Sequence, residues 1–315
     1  MPNVEKGIGM MWGSAQRFAK SGGFVGNLGL GGMRLSIEGR PDADRAKATI
    51  NAALDAGLTL VDTADAYHAG AQDRGHNETL IGDVLAARGD ADRVLVATKG
   101  GKVRPGDGRW LIDGRPDHLK SAARESARRL RCESIGLYQL HAPDPGVPFA
   151  ESIGALKDMV DDGLIERAGI SNVSVAEIGV AHGILGPLLV SVQNEFSPTA
   201  VDGFGTFKKS QQLGLMFMAW RPFGDQQKIA STDNPFVEMA RKYGVSLHRL
   251  ILAWELSLGV GMVPIPGATR TETIRDSAAA LNLELDSLDA ERLANYALFG
   301  DTALDENLRK DEVNA

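Results

Sequence analysis

The sequence has almost no cysteine, no long apolar run and fewer basic than acidic residues. Its single cysteine, Cys132, excludes an internal disulfide, and no cysteine and histidine cluster has zinc-ligand spacing, so no metal is expected. No apolar run approaches the ~18 residues of a membrane-spanning helix, and the first residues lack the charged start and apolar block of a signal peptide. These absences predict a cytoplasmic protein without a membrane partner.

The charge balance argues against a nucleic-acid partner as well. Lys and Arg number 34 against 41 Asp and Glu, and the resulting net charge of -7 repels a polyanion. Apolar residues at 43% and charged residues at 24% are typical of soluble globular proteins. Glycine is in excess, because 37 of 315 residues is about 12% where an average protein has about 7%.

Short β-branched segments alternate with segments of helical periodicity along the chain. This alternation is the pattern of βαβ units around a parallel sheet. It indicates one (β/α)8 TIM barrel with an N-terminal cap and an extra C-terminal helix, formed by residues 1–315 as a single domain. The eight predicted strands lie at residues 25–30, 58–62, 94–99, 135–140, 168–171, 188–194, 215–219 and 261–265.

The connections between these elements are unequal in length. Those from helix to strand are short, whereas those leaving strands include residues 67–76, 100–116 and 221–233. In a parallel barrel the loops that follow strands all lie on the C-terminal face, where active sites are built. We therefore expect the functional site on that face.

The common phosphate-binding motifs are absent. Gly29 and Gly31 begin a GxGxxG pattern, but Arg34 occupies the third glycine position, and we interpret Arg34 as a surface charge. A GxxxxGK[ST] loop is missing, and so is the GxSxG turn of serine hydrolases. If the protein binds a nucleotide, another geometry must hold it.

Polar side chains end three consecutive predicted strands. Asp62 ends the second, with Tyr67 shortly after it, while Lys99 ends the third and His141 follows the fourth. Because neighbouring strands lie ~4.8 Å apart, these side chains can converge on one pocket. An adjacent ammonium lowers the pKa of a tyrosine, so Lys99 would make Tyr67 a better proton donor. Asp62 would hold Lys99, and His141 would orient a carbonyl oxygen or share the proton.

From about residue 29 to residue 277 the sequence resembles the aldo-keto reductase family. DTADAY at 62–67 is similar to the family's signature around its catalytic Asp and Tyr, and NETLIG at 77–82 resembles the motif that follows it. The resemblance assigns catalytic roles to Asp62, Tyr67, Lys99 and His141. It implies hydride transfer from a nicotinamide cofactor to an aldehyde or ketone, with Tyr67 as the general acid.

The resemblance also implies NADPH, in preference to NADH, and a small-molecule carbonyl substrate. Ser171, Asn172 and Gln193 lie in motifs similar to those that bind the nicotinamide carboxamide, and Trp220 takes the position of the stacking aromatic residue. Arg270 is the candidate for the 2′-phosphate contact. The other implied cofactor-binding residues are Gly31, Gly32, Met33, Arg221, Pro222, Gly267, Ala268, Thr273 and Ser277.

Alternative functions remain open at this stage. The same four residues could oxidise an alcohol or reduce a sugar or pyridoxal intermediate, and the substrate loops would decide between these reactions. A cofactor-binding regulatory or sensor subunit with residual activity is an alternative of a different class. Trp110, in the 100–116 loop, either contacts the substrate or packs on the surface.

Overall fold

A computed structural model describes residues 26–89, 91–231 and 234–300. The predicted N-terminal cap, the first residue of the predicted strand 25–30 and the polar tail after residue 300 lie outside these ranges. Within them, no helix is both long and apolar enough to cross a membrane.

In the described residues the strands are β1 (Leu30–Gly31), β2 (Leu60–Asp62), β3 (Leu95–Gly100), β4 (Lys102–Val103), β5 (Leu111–Ile112), β6 (Leu137–Leu140), β7 (Ala168–Ser171), β8 (Leu189–Glu195), β9 (Met216–Trp220) and β10 (Met262–Pro264). Eight of these strands are parallel and form one sheet, in the order β1-β2-β3-β6-β7-β8-β9-β10. Each of the eight predicted segments overlaps one of them. A separate antiparallel pair, β4 and β5, lies within the predicted loop 100–116.

The sheet curls until its first and last strands meet. The Gly29 N–H donates to the Pro264 carbonyl at 3.0 Å, and the Gly31 N–H donates to the Pro266 carbonyl at 3.0 Å. A Cβ on Gly31 would lie 2.6 Å from the Ile265 carbonyl oxygen, so only glycine permits this approach. The barrel is therefore closed, as the eight-strand pattern predicts, and part of the glycine excess serves this closure.

Helices follow the strands and cover the outside of the barrel. Ser174 begins one of them with a capping box, in which its side chain and that of Glu177 bond each other's backbone N–H. The helices are α1 (Ala43–Asp55), α2 (His76–Arg88), α3 (Pro116–Leu130), α4 (Phe149–Asp161), α5 (Val175–Leu185), α6 (Phe204–Gln212), α7 (Gln226–Ile229), α8 (Pro235–Lys242), α9 (Leu247–Ser257), α10 (Thr271–Ala278) and the extra C-terminal α11 (Ser287–Phe299).

Apolar side chains fill the barrel, and polar ones follow them at the C-terminal ends of the strands. Along β2 and β3, buried Leu60 precedes Asp62 and buried Ala97 precedes Lys99. Because alternate residues of a strand face the same side, the polar residue in each pair shares the side of its apolar neighbour. The interior packing thus presents Asp62 and Lys99 together at one end of the barrel.

Candidate active site

Lys99 is the centre of a buried hydrogen-bond cluster. Its side chain has no exposed surface, and its Nζ lies 2.7 Å from Asp62 Oδ2, 2.8 Å from the Thr63 carbonyl oxygen and 3.0 Å from Tyr67 Oη. An ammonium has three N–H donors, and these three acceptors match them. The end of β2 and the loop after it therefore hold the Lys99 ammonium in one orientation, with one N–H directed at the Tyr67 hydroxyl.

The environment keeps both Lys99 and Tyr67 protonated. Burial alone would lower the pKa of Lys99, but the charge of Asp62 and the hydrogen bonds to Asp62 and Tyr67 raise it above its ordinary value. Burial raises the pKa of the Tyr67 phenol, and the Lys99 charge offsets this only in part. The net direction is opposite to the lowering expected from the sequence, because burial outweighs the effect of the Lys99 charge and the Asp62 charge also raises the pKa of Tyr67.

His141 follows β6 and is held as a neutral imidazole. Burial, together with the positive charges of Lys99 and Lys102, lowers the pKa of His141 well below its usual value. Its Nδ1 atom is buried and has no hydrogen-bond partner in the described part of the chain. The ring lies edge-on to Tyr67, with centroids 5.7 Å apart. A neutral imidazole at this position can donate a hydrogen bond to a ligand oxygen.

Trp110 lies beside both of these rings. Its ring centroid is 6.5 Å from that of Tyr67 and 6.4 Å from that of His141, and 40% of the residue is exposed. The β4–β5 pair carries Trp110 back over the barrel mouth, since the residue immediately precedes β5. Of the two interpretations of Trp110, this placement favours the one in which it borders the substrate space.

Three of the implied nicotinamide-binding residues lie at the ends of β7 and β8. Gln193 Nε2 donates to Asp62 Oδ1 at 2.8 Å, which joins the far side of the barrel to the Lys99 cluster. Ser171 Oγ donates to the Gln193 carbonyl at 2.8 Å, and Asn172 Nδ2 donates to the His141 carbonyl at 2.8 Å. These bonds tie the ends of three strands together next to Tyr67 and Lys99.

The aromatic residue Trp220 ends β9 and is half-buried. Its Nε1 atom is buried without a hydrogen-bond partner in the described residues. Arg221 has a backbone φ of 55°, a left-handed conformation that is uncommon outside glycine, and its Nη1 lies 3.0 Å from Glu195 Oε1. The chain thus turns sharply after Trp220, with Pro222 buried behind the turn.

A cleft of about 370 Å³ opens where β1 meets β10. Arg270 and Arg34 both line it, and neither guanidinium has a carboxylate partner in the described part of the chain. Helix α10 begins at Thr271 without a hydrogen bond from the side chain of its N-cap residue, Arg270, although the Glu272 carboxylate accepts from its own N–H in this first turn. The cleft is lined by Arg34, Glu38, Gly39, Gly267, Ala268, Thr269, Arg270 and Thr273.

Other implied cofactor residues differ in their placement. Gly32 is buried beside Asp62, where a Cβ would lie 2.7 Å from the Asp62 carbonyl oxygen, so packing alone already requires glycine there. Met33 begins a short 3-10 turn next to it. Ser277 is buried in α10, one turn beyond Thr273.

Three basic residues of this region were not predicted from the sequence. Arg34 is exposed, as a surface charge should be, yet it lines the cleft together with Arg270. Arg104 and Lys102 both lie over the Trp110 ring, at 4.6 Å and 5.7 Å from its centroid. For Arg104 and Lys102, the only signal in the sequence is their place in the long 100–116 loop of the active face.

Comparisons with known proteins agree with the fold. The model of the Aldo/keto reductase family matches residues 27–297. The chain is 33% identical over 285 residues to a 6-dehydroglucose reductase of Novosphingobium aromaticivorans, covering 87% of this chain and 92% of that protein. An aldo/keto reductase of Klebsiella pneumoniae, solved in complex with NADP and acetate, is 25% identical with a TM-score of 0.71, covering 91% of this chain and 96% of that one.

These findings establish the class of the protein. The family model spans most of the chain, and the curated relative matches it over nearly its whole length. The chain belongs to the aldo/keto reductase family and is an oxidoreductase.

Proposed function

We propose that the protein reduces an aldehyde or ketone to an alcohol with NADPH, and that Tyr67 donates the proton. The observation that carries this proposal is the buried contact of 3.0 Å between Lys99 Nζ and Tyr67 Oη. A tyrosine that is protonated at neutral pH and touches a fixed ammonium has both a proton to give and a charge to stabilise the phenolate that remains.

Each residue of the cluster has a distinct task in this proposal. Asp62 and the Thr63 carbonyl keep the Lys99 ammonium protonated and oriented, so no reorganisation is needed as charge develops on Tyr67 Oη. His141, neutral at physiological pH, donates a hydrogen bond to the carbonyl oxygen and orients it towards Tyr67. The proton passes from Tyr67 to that oxygen, and solvent later restores it to the phenolate.

The residues at the ends of β7, β8 and β9 support the proposed cofactor. When bound, NADPH supplies the hydride that adds to the carbonyl carbon. Ser171, Asn172 and Gln193 would hold the carboxamide end, beside Tyr67, and Trp220 would offer its ring face to the nicotinamide. Gly31, Gly32, Met33, Arg221, Pro222, Gly267, Ala268, Thr273 and Ser277 are proposed to line the rest of the path.

The cleft between β1 and β10 supports NADPH over NADH. Arg270 stands at the start of α10, and a guanidinium can bind a phosphate through two hydrogen bonds. Arg34 brings a second positive charge to the same cleft. The NADP bound by the Klebsiella pneumoniae enzyme also supports this choice.

We propose that residues 1–315 form a single reductase domain that acts in the cytoplasm.

A more specific candidate substrate is an oxidised sugar. The observation that favours it is the 33% identity to the 6-dehydroglucose reductase of Novosphingobium aromaticivorans. Substrate identity in this fold depends on the loops of the active face, so the four central residues do not decide this point.

The proposed function is tested by following the absorbance of NADPH with the purified protein. Small aldehydes, ketones and sugar aldehydes are offered in parallel, and NADH is offered in a second series. Consumption of NADPH that depends on a carbonyl compound supports the proposal. A protein that binds NADPH tightly but consumes it with none of these compounds would favour the regulatory or sensor alternative.

A further inference from the structure

Lys102 lies beside the proposed active site, and its positive charge has no anionic partner among the described residues. It begins β4, three residues after Lys99, and is half-buried. Its Nζ lies 5.7 Å from the centroid of the Trp110 ring. No carboxylate in the described part of the chain lies within ion-pair distance of it. Partial burial of an unpaired ammonium is unfavourable, and an anionic ligand beside it would offset this cost.

The other cations around this space are already neutralised within the protein. Lys99 is paired with Asp62, and Arg104 with Glu38. Arg109, on the same loop, lies 2.7 Å from the Asp107 carboxylate. Within the described ranges, Lys102 therefore leaves a local excess of one positive charge at the barrel mouth. A single excess charge matches a ligand with a single negative charge.

The position of Lys102 relates it to the proton-donating residues. Trp110 contacts the Lys102 ammonium with its ring face and approaches both Tyr67 and His141 edge-on. The charge of Lys102 also reaches His141, where it contributes to lowering the pKa of that imidazole. Lys102 and the Tyr67–His141 pair thus border the same space, with the flat indole of Trp110 as a common wall.

We propose that the substrate carries a carboxylate, which Lys102 binds while Tyr67 and His141 contact the carbonyl oxygen. This inference rests on the proposed carbonyl reduction and specifies its substrate class as oxo carboxylic acids, as an alternative to the oxidised sugar. The part of the molecule between the two groups lies against the apolar face of Trp110. A charge-assisted hydrogen bond from the ammonium to the carboxylate then fixes the distance and orientation of the carbonyl group.

The experiment compares each acid with its methyl ester, which has nearly the same shape and no charge. The pairs are 4-formylbenzoate with methyl 4-formylbenzoate, and succinic semialdehyde with its methyl ester. We expect the wild type to favour the acid in kcat/KM by about tenfold in at least one pair, as one charge-assisted contact provides. Lys102→Gln should reduce this ratio to about one, and Lys102→Arg should largely restore it.

Arg109→Gln is the matched control, because it removes a positive charge from the same loop at an exposed position already paired with Asp107. It should keep the wild-type ratio of acid to ester. Circular dichroism and NADPH affinity show whether each variant is folded. Equal ratios in the wild type and in Lys102→Gln would overturn the inference, as would a wild-type preference for both esters.

A binding measurement separates failure of this inference from failure of the proposed function. Affinities of 4-(hydroxymethyl)benzoate and its methyl ester are measured by calorimetry, with and without NADP. If the wild type reduces none of the aldehydes, the proposed function fails, yet a loss of about tenfold in acid affinity in Lys102→Gln would still support a carboxylate site. Equal acid affinities in the wild type and the variant would overturn that site.

Discussion

The Trp110 indole meets the Tyr67 phenol edge-on, with ring centroids 6.5 Å apart and an angle of 77° between the ring planes. Trp110 also lies against Arg104, whose guanidinium carbon is 4.6 Å from the indole centroid. Arg104 is buried and also bonds the His68 carbonyl and the Glu38 carboxylate. The Arg104 guanidinium therefore connects the loops after β1, β2 and β3 and contacts Trp110, which borders the proposed substrate space.

Replacement of Arg104 should weaken substrate binding more than it slows the chemical step. In Arg104→Met the apolar stem remains, but Trp110 loses its cation–π partner and the three loops lose their common donor. We expect KM for the best aldehyde to rise about tenfold, with kcat changed less than about threefold, because Tyr67 and Lys99 keep their contact.

Steady-state kinetics check this prediction, with Glu38→Gln as the companion variant. Glu38→Gln removes one carboxylate from Arg104 but keeps the guanidinium beneath the indole, so its effect on KM should be smaller. A KM unchanged in Arg104→Met, or a larger effect in Glu38→Gln, would show that Arg104 does not position Trp110.

Arg270→Ala should weaken the binding of NADPH much more than the binding of NADH. Only NADPH has the 2′-phosphate, and loss of a charge-assisted contact costs about 1.5–3 kcal/mol, roughly 10- to 100-fold in Kd. NADH affinity should change less than about threefold. Titration of each cofactor into the wild type and into Arg270→Ala, followed by fluorescence or calorimetry, gives the four dissociation constants.

Arg275→Ala is the control for this comparison, since Arg275 is exposed on the same helix but does not line the cleft. It should leave both affinities near the wild-type values. Equal losses of NADPH and NADH in Arg270→Ala would place the 2′-phosphate elsewhere, and Arg34→Ala would then be the next variant to measure.

The barrel could be predicted from the sequence because its strands are short apolar segments in regular alternation with helices. The β4–β5 pair could not, since Lys102–Val103 and Leu111–Ile112 are two residues each and lack a recognisable alternation. They pair only because the ends of the long loop return to the same edge of the barrel.

The proximity of the four central residues could be predicted, because each lies at the end of a recognisable strand or shortly after it. Arg34 could not be placed from the sequence, since nothing in it shows that the loop after β1 faces the start of α10. The predicted lowering of the Tyr67 pKa was wrong for a related reason. Burial dominates that shift, and the degree of burial of a side chain after a strand is not visible in the residue order.

Asp65 should make the folding stability depend on pH. Its carboxylate is 1% exposed. Burial and the nearby charge of Glu78 raise its pKa to about 7, although Arg74 lies 3.7 Å away. The folded protein thus keeps a proton that the unfolded chain releases at about pH 4. Stability is therefore lost as the pH rises from about 4 through about 7.

Asp65→Asn should remove this dependence. Between pH 5 and pH 8 the free energy of unfolding of the wild type should fall by about 3 kcal/mol relative to the variant. Urea denaturation at both pH values measures the difference, with Asp202→Asn as a control at an exposed carboxylate. Parallel changes in the wild type and in Asp65→Asn would show that Asp65 does not retain its proton.

The most direct test of Tyr67 as the proton donor is the Tyr67→Phe variant, measured for NADPH affinity and for carbonyl reduction in the same preparation. The phenyl ring keeps the edge-on contacts with Trp110 and His141, while the proton beside Lys99 is lost. We predict an NADPH Kd within about threefold of the wild type and a kcat lower by about 10²–10⁴, the usual contribution of a general acid. Turnover near the wild-type rate would contradict the assignment of Tyr67 as the proton donor.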